Sequence, residues 1–276
     1  MLLVPIVVDD KMILKEGGNQ FKNPKTGEVL TKTIKQTDVK PTVLWLEQLT
    51  GLPLLDNMLG STGLRAESGD IDLAVDKTQT PKSRLYGILK NWAESQELDP
   101  NLVIAGGTAR DKKPTEYETM SFMAPVAGKP QLGFVQVDFM FEPNIEWARF
   151  AKRAAADTQY KDAVKHIILN SLGKASANKK YPQGYTWSGQ YGLKDRATGE
   201  MITTDPGEIA ELILYPGATP KDLSGVEAVV TALQRDPQRD AKLAQARADL
   251  EPKGIELPAI QEGTPGWYRT MMGRLA

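Results

Sequence analysis

Charged and apolar residues alternate along Asp70-Ile71-Asp72-Leu73-Ala74-Val75. That period of two predicts a strand with Asp70 and Asp72 on one face and Ile71 and Leu73 on the other. The same period runs through Phe134 to Phe141, where Val135, Val137, Phe139 and Phe141 share one face and Gln136, Asp138 and Met140 the other. Further strands are predicted over Leu2 to Val8, over Glu28 to Lys35 after the turn cluster Asn23-Pro24-Lys25-Thr26-Gly27, and over Leu102 to Ala105. Helical spacing and start signals predict a helix over Val43 to Leu49, capped by Thr42 and ended by Gly51. Another opens at Thr80-Pro81 and runs to about Glu97, and a third follows Asn144 from Ile145 to about Ala156. Asp157 or Thr158 caps a helix to about Leu172, with Val164, Ile167, Ile168 and Leu172 at core spacing. Residues 174–204, rich in Gly, Lys and aromatics, read as loop with short strands. Asp205-Pro206-Gly207-Glu208 then opens a helix to Leu214, and Thr219-Pro220, Asp236-Pro237 and Thr264-Pro265 repeat the start signal.

This order of elements predicts an α+β fold. A β-rich extension covers 1–41, a small mixed β-sheet with flanking helices covers 42–150, and a largely helical C-terminal region covers 151–276. The 276 residues suffice to bury a real core. Hydrophobic content of 41% and charged content of 25% are ordinary for a globular chain. A formal net charge of −1 argues against bulk nucleic-acid binding, so any such contact needs a local basic patch. There is no cysteine, which excludes disulfides, zinc–thiolate sites and thiol nucleophiles. His166 is the single histidine, and it falls between the core positions of its helix, as a structural or surface residue would. The apolar start, Met1 to Val8, lacks a positive n-region and runs into Asp9-Asp10, so it reads as a strand rather than a signal peptide. No apolar run of roughly 18 residues exists, so no membrane partner is expected.

The candidate chemistry lies between residues 59 and 141. Residues i and i+2 of a strand sit about 6.5 Å apart, so Asp70 and Asp72 can reach one divalent metal, or bridge two lying about 3.5–4 Å apart. Asp138, set between Val137 and Phe139, is costly to bury unless it has a partner such as a metal. Glycine at Gly60 lets backbone approach a phosphate, and Ser61 adds a hydroxyl donor.

Leu59-Gly60-Ser61, a loop, Asp70-Ile71-Asp72 and then Gln136-Val137-Asp138-Phe139-Met140-Phe141 resemble the nucleotidyltransferase superfamily. That superfamily contains DNA polymerase beta, the CCA-adding enzymes and the aminoglycoside nucleotidyltransferases. Glu146-Trp147-Ala148-Arg149-Phe150 adds a likeness to uncharacterised nucleotidyltransferase-like proteins of tailed bacteriophages. The likeness spans about 52–142 and implies a nucleotidyltransferase core that moves an NMP from an NTP to an acceptor hydroxyl, releasing pyrophosphate. It implies Mg²⁺ or Mn²⁺ as cofactor, with Asp70 and Asp72 holding the metals and Asp138 ligating the catalytic metal and helping to activate the nucleophile. Gly60 and Ser61 would bind the β- and γ-phosphates, and Arg65 would steady the triphosphate. The NTP is the expected partner, with a nucleic acid, a protein or a small molecule as acceptor. The loop between Ser61 and Asp70 departs from the family by its shortness, eight residues, which bears on which substrate fits.

Two other readings compete. The chain could be a structural or interaction protein that keeps the fold, such as a phage virion component whose partners are phage structural proteins. Lys174, Lys179 and Lys180, interleaved with Tyr181, Tyr185, Trp187 and Tyr191, could instead stack bases and track phosphates, or the aromatics could pack on the C-terminal helices. Gly106-Gly107-Thr108-Ala109-Arg110-Asp111 resembles a loop of CCA-adding enzymes, but no Asp-x-Asp follows it at the required spacing and it reads as a turn. The expected compartment is cytoplasmic, or the host cytoplasm or virion for a phage protein.

Overall fold

The computed structural model describes residues 20–106, 115, 118–154 and 162–257. The strand expected over Leu2 to Val8, most of the Gly106–Asp111 turn, the Asp157 or Thr158 cap and the Thr264-Pro265 start lie outside these residues. The described chain is mixed α/β and divides into two compact units. One comprises residues up to Met58 and from Thr62 to Phe141, and the other Leu59–Ser61 and everything from Glu142 onward.

In the first unit the elements are β1 (Ile34–Lys35), α1 (Gln36–Thr50), β2 (Glu67–Ser68), β3 (Asp70–Asp76), α2 (Lys82–Ser95), α3 (Pro100–Val103), β4 (Ile104–Gly106), β5 (Thr119–Pro125) and β6 (Phe134–Glu142). Four strands form a sheet in the order β3-β6-β5-β4, and β1 pairs with β2. The β5/β6 pair is antiparallel, with Met120 opposite Phe139, Phe122 opposite Val137 and Ala124 opposite Val135. Directly opposed residues share a face, so these side chains form one apolar surface. Ile71, Leu73 and Val75 join them in a core completed by Val39, Val43 and Leu46 of α1 and by Leu85, Leu89 and Ala93 of α2. Trp45 meets Trp92 edge-on at 5.5 Å, and Trp92 meets Phe122 at 5.2 Å, locking both helices to the sheet.

Several boundaries differ from the sequence expectation. Thr42 does not cap a helix. It lies inside α1, where its hydroxyl donates to Asp38 O at 2.7 Å and accepts the Ala127 N–H. Pro41 sits in the same helix, where its missing N–H removes only one bond, to Thr37. Gly51 does end α1, with φ 70° and its N–H on Glu47 O. Of the strand expected over Glu28 to Lys35, only Ile34–Lys35 pairs as a strand, and Val29 makes a single bridge to Lys22. The strand expected from Leu102 begins instead as a helical turn, because Asp99 accepts the Asn101 N–H and Pro100 stands at the first helical position.

The second unit holds α4 (Ile145–Lys152), α5 (Asp162–Ala175), β7 (Tyr185–Ser188), β8 (Gly192–Asp195), β9 (Met201–Thr203), α6 (Pro206–Ile213), α7 (Val226–Leu233) and α8 (Arg239–Leu250). It is therefore helical around a three-stranded sheet, β7-β8-β9. Asn144 caps α4 by accepting the Trp147 N–H, and Asp205 caps α6 through the Glu208 N–H. The helix expected to reach Ala156 ends at Lys152, because Arg153 turns to extended backbone and bridges to Gly60. Asp236-Pro237 leads into α8 as expected, two residues ahead of Arg239, with Asp236 Oδ1 accepting the Gln238 N–H at 2.7 Å and its carbonyl the Arg239 N–H at 3.0 Å. Asp236 turns inward to Lys242 at 2.7 Å, and the Lys242 ammonium also donates to Leu214 O at 2.6 Å. Both side chains of this pair are almost fully buried, beside a core of Ile168, Leu172, Tyr185, Ile209, Val229, Leu233 and Leu250.

Candidate metal centre

Asp70 and Asp72 emerge from β3 on the face opposite its buried Ile71 and Leu73. Thr62, itself buried, accepts the Asp72 backbone N–H at 2.9 Å and so fixes the strand beside the loop that precedes it. That loop is short but well tied. Gln36 donates its backbone N–H to Ala66 O and its amide to Gly63 O, and Glu67–Ser68 pairs with β1. Asp138 comes from the neighbouring strand, β6. One carboxylate oxygen from each of Asp70, Asp72 and Asp138 lies within 4.8 Å of the other two, so the cluster could hold a metal ion. The convergence expected from strand parity is thus present.

Asp138 is held by side chains of both β5 and β6. Ser121, its directly opposed residue on β5, donates its hydroxyl to Oδ1 at 2.5 Å. The Gln136 amide nitrogen lies 3.2 Å from Oδ1 and 3.0 Å from Oδ2. Gln20 orients the Gln136 amide by donating its backbone N–H to Gln136 Oε1 at 3.0 Å, and its own Oε1, 2.8 Å from the Ser121 hydroxyl, is a second acceptor for the one proton that hydroxyl carries. Burial pushes the Asp138 carboxyl above the ordinary carboxylate value of 3.8, and the bonds from Ser121 and Gln136 oppose that rise without cancelling it. The consequence for stability has a definite sign. A carboxyl whose folded pKa is raised contributes stability fully present below pH 3.8, and it is lost as pH climbs through the folded value. Metal-free protein is therefore expected to be more stable at neutral pH as Asp138→Asn than as wild type. The gap should close toward pH 4, and melting temperatures of both proteins across that range check it.

Period-two alternation marks Asp138 and places Gln136 on its face, but nothing local to the sequence marks Ser121, Gln20 or β5 as parts of the site beyond a serine within the apolar run Met120 to Pro125.

The remaining expected site residues fall as follows. Gly60 has both backbone groups engaged. Its N–H donates to Lys152 O at 2.9 Å, and its carbonyl accepts the Ala154 N–H at 3.0 Å. Arg153 adds a side-chain bond to Leu59 O at 3.1 Å, and Lys152 pairs with the buried Glu142. Ser61 and Arg65 are half-buried. In the Lys/aromatic stretch, Tyr185 and Trp187 are core residues, which removes them as base-stacking platforms. Tyr185 accepts from Asn178, and Trp187 donates its indole N–H to His166 Nδ1 at 2.6 Å, giving that histidine a structural bond. Tyr191 is exposed beside Lys194. Gly106 ends β4. Among the described residues no helix is long and apolar enough to cross a membrane.

Compared with protein-family models, characterised proteins and solved structures, the chain finds no match in any of the three.

Proposed function

We propose that this chain is a divalent-metal-dependent nucleotidyltransferase that moves an NMP from an NTP to an acceptor hydroxyl and releases pyrophosphate. The observation that carries the reading is the convergence of Asp70, Asp72 and Asp138 from two adjacent strands on one face of the four-stranded sheet. Three carboxylate oxygens form a hard donor set, suited to Mg²⁺ or Mn²⁺ rather than to thiophilic metals. Ser121 and Gln136 are neutral donors, so they brace Asp138 without cancelling the charge a cation would meet. The residues present fit such an ion. When bound, it would neutralise phosphate charge and lower the pKa of an attacking hydroxyl.

Asp70 and Asp72 would hold the ion from β3. Asp138 would complete the ligand set and orient the acceptor hydroxyl. The likeness to the nucleotidyltransferases would assign the phosphates to Gly60, Ser61 and Arg65, and the Gly60 N–H is engaged by Lys152 O.

The test is incubation with each labelled NTP, Mg²⁺ or Mn²⁺, and a panel of nucleic-acid, protein and small-molecule acceptors. Incorporation into one class with release of pyrophosphate is the expected result. A metal–nucleotide pair at about a hundred times its Kd should also raise stability by about 2.7 kcal/mol, read as a higher melting temperature. No incorporation and no thermal shift at millimolar metal and nucleotide would instead favour a structural protein that keeps this arrangement, such as a virion component.

A further inference from the structure

The polar face of the sheet carries more than its three aspartates. Ser121 and Gln136 are both buried, at 1% and 5% exposure, on a face whose opposite side is wholly apolar core. Two uncharged polar side chains in such a position require partners, and both reach the Asp138 carboxylate, with Gln20 as a further partner of each. The arrangement is directional. The Gln20 backbone N–H takes Gln136 Oε1, so the Gln136 amide must present its nitrogen to Asp138. The β5/β6 register sets Ser121 directly across from Asp138, so its hydroxyl reaches Oδ1 without leaving the strand.

A carboxylate has roughly four acceptor positions. Ser121 takes one position on Oδ1 and the Gln136 amide straddles both oxygens, nearer Oδ2, so the carboxylate is held at both oxygens and keeps acceptor positions for a cation. We infer that Ser121 and Gln136 are positioning residues that fix the Asp138 carboxylate for divalent-cation binding. This rests on the metal-site reading above. Because both donors are neutral, they hold the carboxylate in place and leave its charge for the ion. A lysine or arginine in either position would pair with the carboxylate and compete with that ion.

The test measures Mn²⁺ affinity directly, from the electron paramagnetic resonance signal of free Mn²⁺, with no nucleotide and no turnover. Wild type is compared with Ser121→Ala, Gln136→Met and Ser121→Thr. Near-UV circular dichroism and the metal-free melting temperature report on the fold. Outer donors to metal ligands are typically worth on the order of 10–100-fold in affinity. Ser121→Ala and Gln136→Met should each weaken Mn²⁺ by a factor in that range while remaining folded, and Ser121→Thr, which keeps the hydroxyl, should bind near wild type. Preference for Mn²⁺ over Ca²⁺ should narrow in the two weakened variants, because Ca²⁺ tolerates looser ligand geometry. A purely structural role would not move that ratio. Folded variants with unchanged Mn²⁺ affinity would overturn the inference, and so would loss of the native fold in both. Wild type that takes up no Mn²⁺ would sink the metal reading itself, a result that no comparison among variants can produce.

Discussion

Asp138→Asn is expected to lower nucleotide incorporation by at least about 100-fold, the lower range for removing a positioned proton acceptor. The two side chains are nearly isosteric, and asparagine can keep the network by accepting from the Gln136 amide and donating its NH2 to Ser121 Oγ, whose proton then goes to Gln20 Oε1. What disappears is the negative charge, together with one oxygen able to face a cation. Interactions made mainly in the transition state lower turnover when removed and leave substrate affinity much less changed. The measurement is therefore paired, with NTP affinity and incorporation followed for both proteins. Equal incorporation by wild type and variant would show that Asp138 takes no part. The variant is also expected to be the more stable metal-free protein near neutral pH, so lost turnover accompanied by gained stability would separate a functional defect from a folding one.

Lys242→Met is expected to destabilise the second unit by about 3–5 kcal/mol, the usual consequence of leaving one half of a buried ion pair. Lys242 and Asp236 are 2% and 1% exposed, so neither charge can turn to water when its partner is gone. Burial lowers the Lys242 pKa and the bond to Asp236 raises it, with burial the larger influence. That balance implies that the pair as a whole is replaceable. The double variant Lys242→Met with Asp236→Asn should recover most of the loss, because asparagine can still accept the Gln238 N–H that Asp236 Oδ1 now takes. Chemical denaturation of the two single variants and the double variant measures the coupling. Strictly additive losses would show that the two charges do not depend on each other.

How far the sequence spoke depended on the range of the interaction. β3 and β6 were legible because period-two alternation is local and one face of each is core. For the same reason the parity of Asp70, Asp72 and Asp138 is legible in the sequence. β5 was not read, since Met120 to Pro125 is an apolar run with no period to separate strand from helix. Ser121 could not have been placed opposite Asp138 without the register, a property of two segments 17 positions apart. Start signals misled where they were judged singly. Thr42 follows a proline and precedes an apolar run, yet α1 begins at Gln36 behind Lys35, which makes no side-chain cap at all. Asp99-Pro100, by contrast, is a true start signal, and it displaced the strand suggested by the Leu-Val-Ile residues that follow.

The bonds of Gly60 also govern the order in which the chain can mature. Leu59 and its partner Arg153 are separated by 94 positions. A ribosome adding roughly 5–20 residues per second needs on the order of 5–20 s to cover that distance. Through that interval the first unit's segments up to Met58 and from Thr62 are already emerging, while the Leu59–Ser61 segment between them waits for α4 and the residues after it. A nascent chain stalled before Lys152 would hold the aspartate pair of β3 but lack the hydrogen bonds that set the Gly60 turn. Synthesis of Ala154 is thus required before a loop encoded nearly a hundred codons earlier can complete its hydrogen bonds.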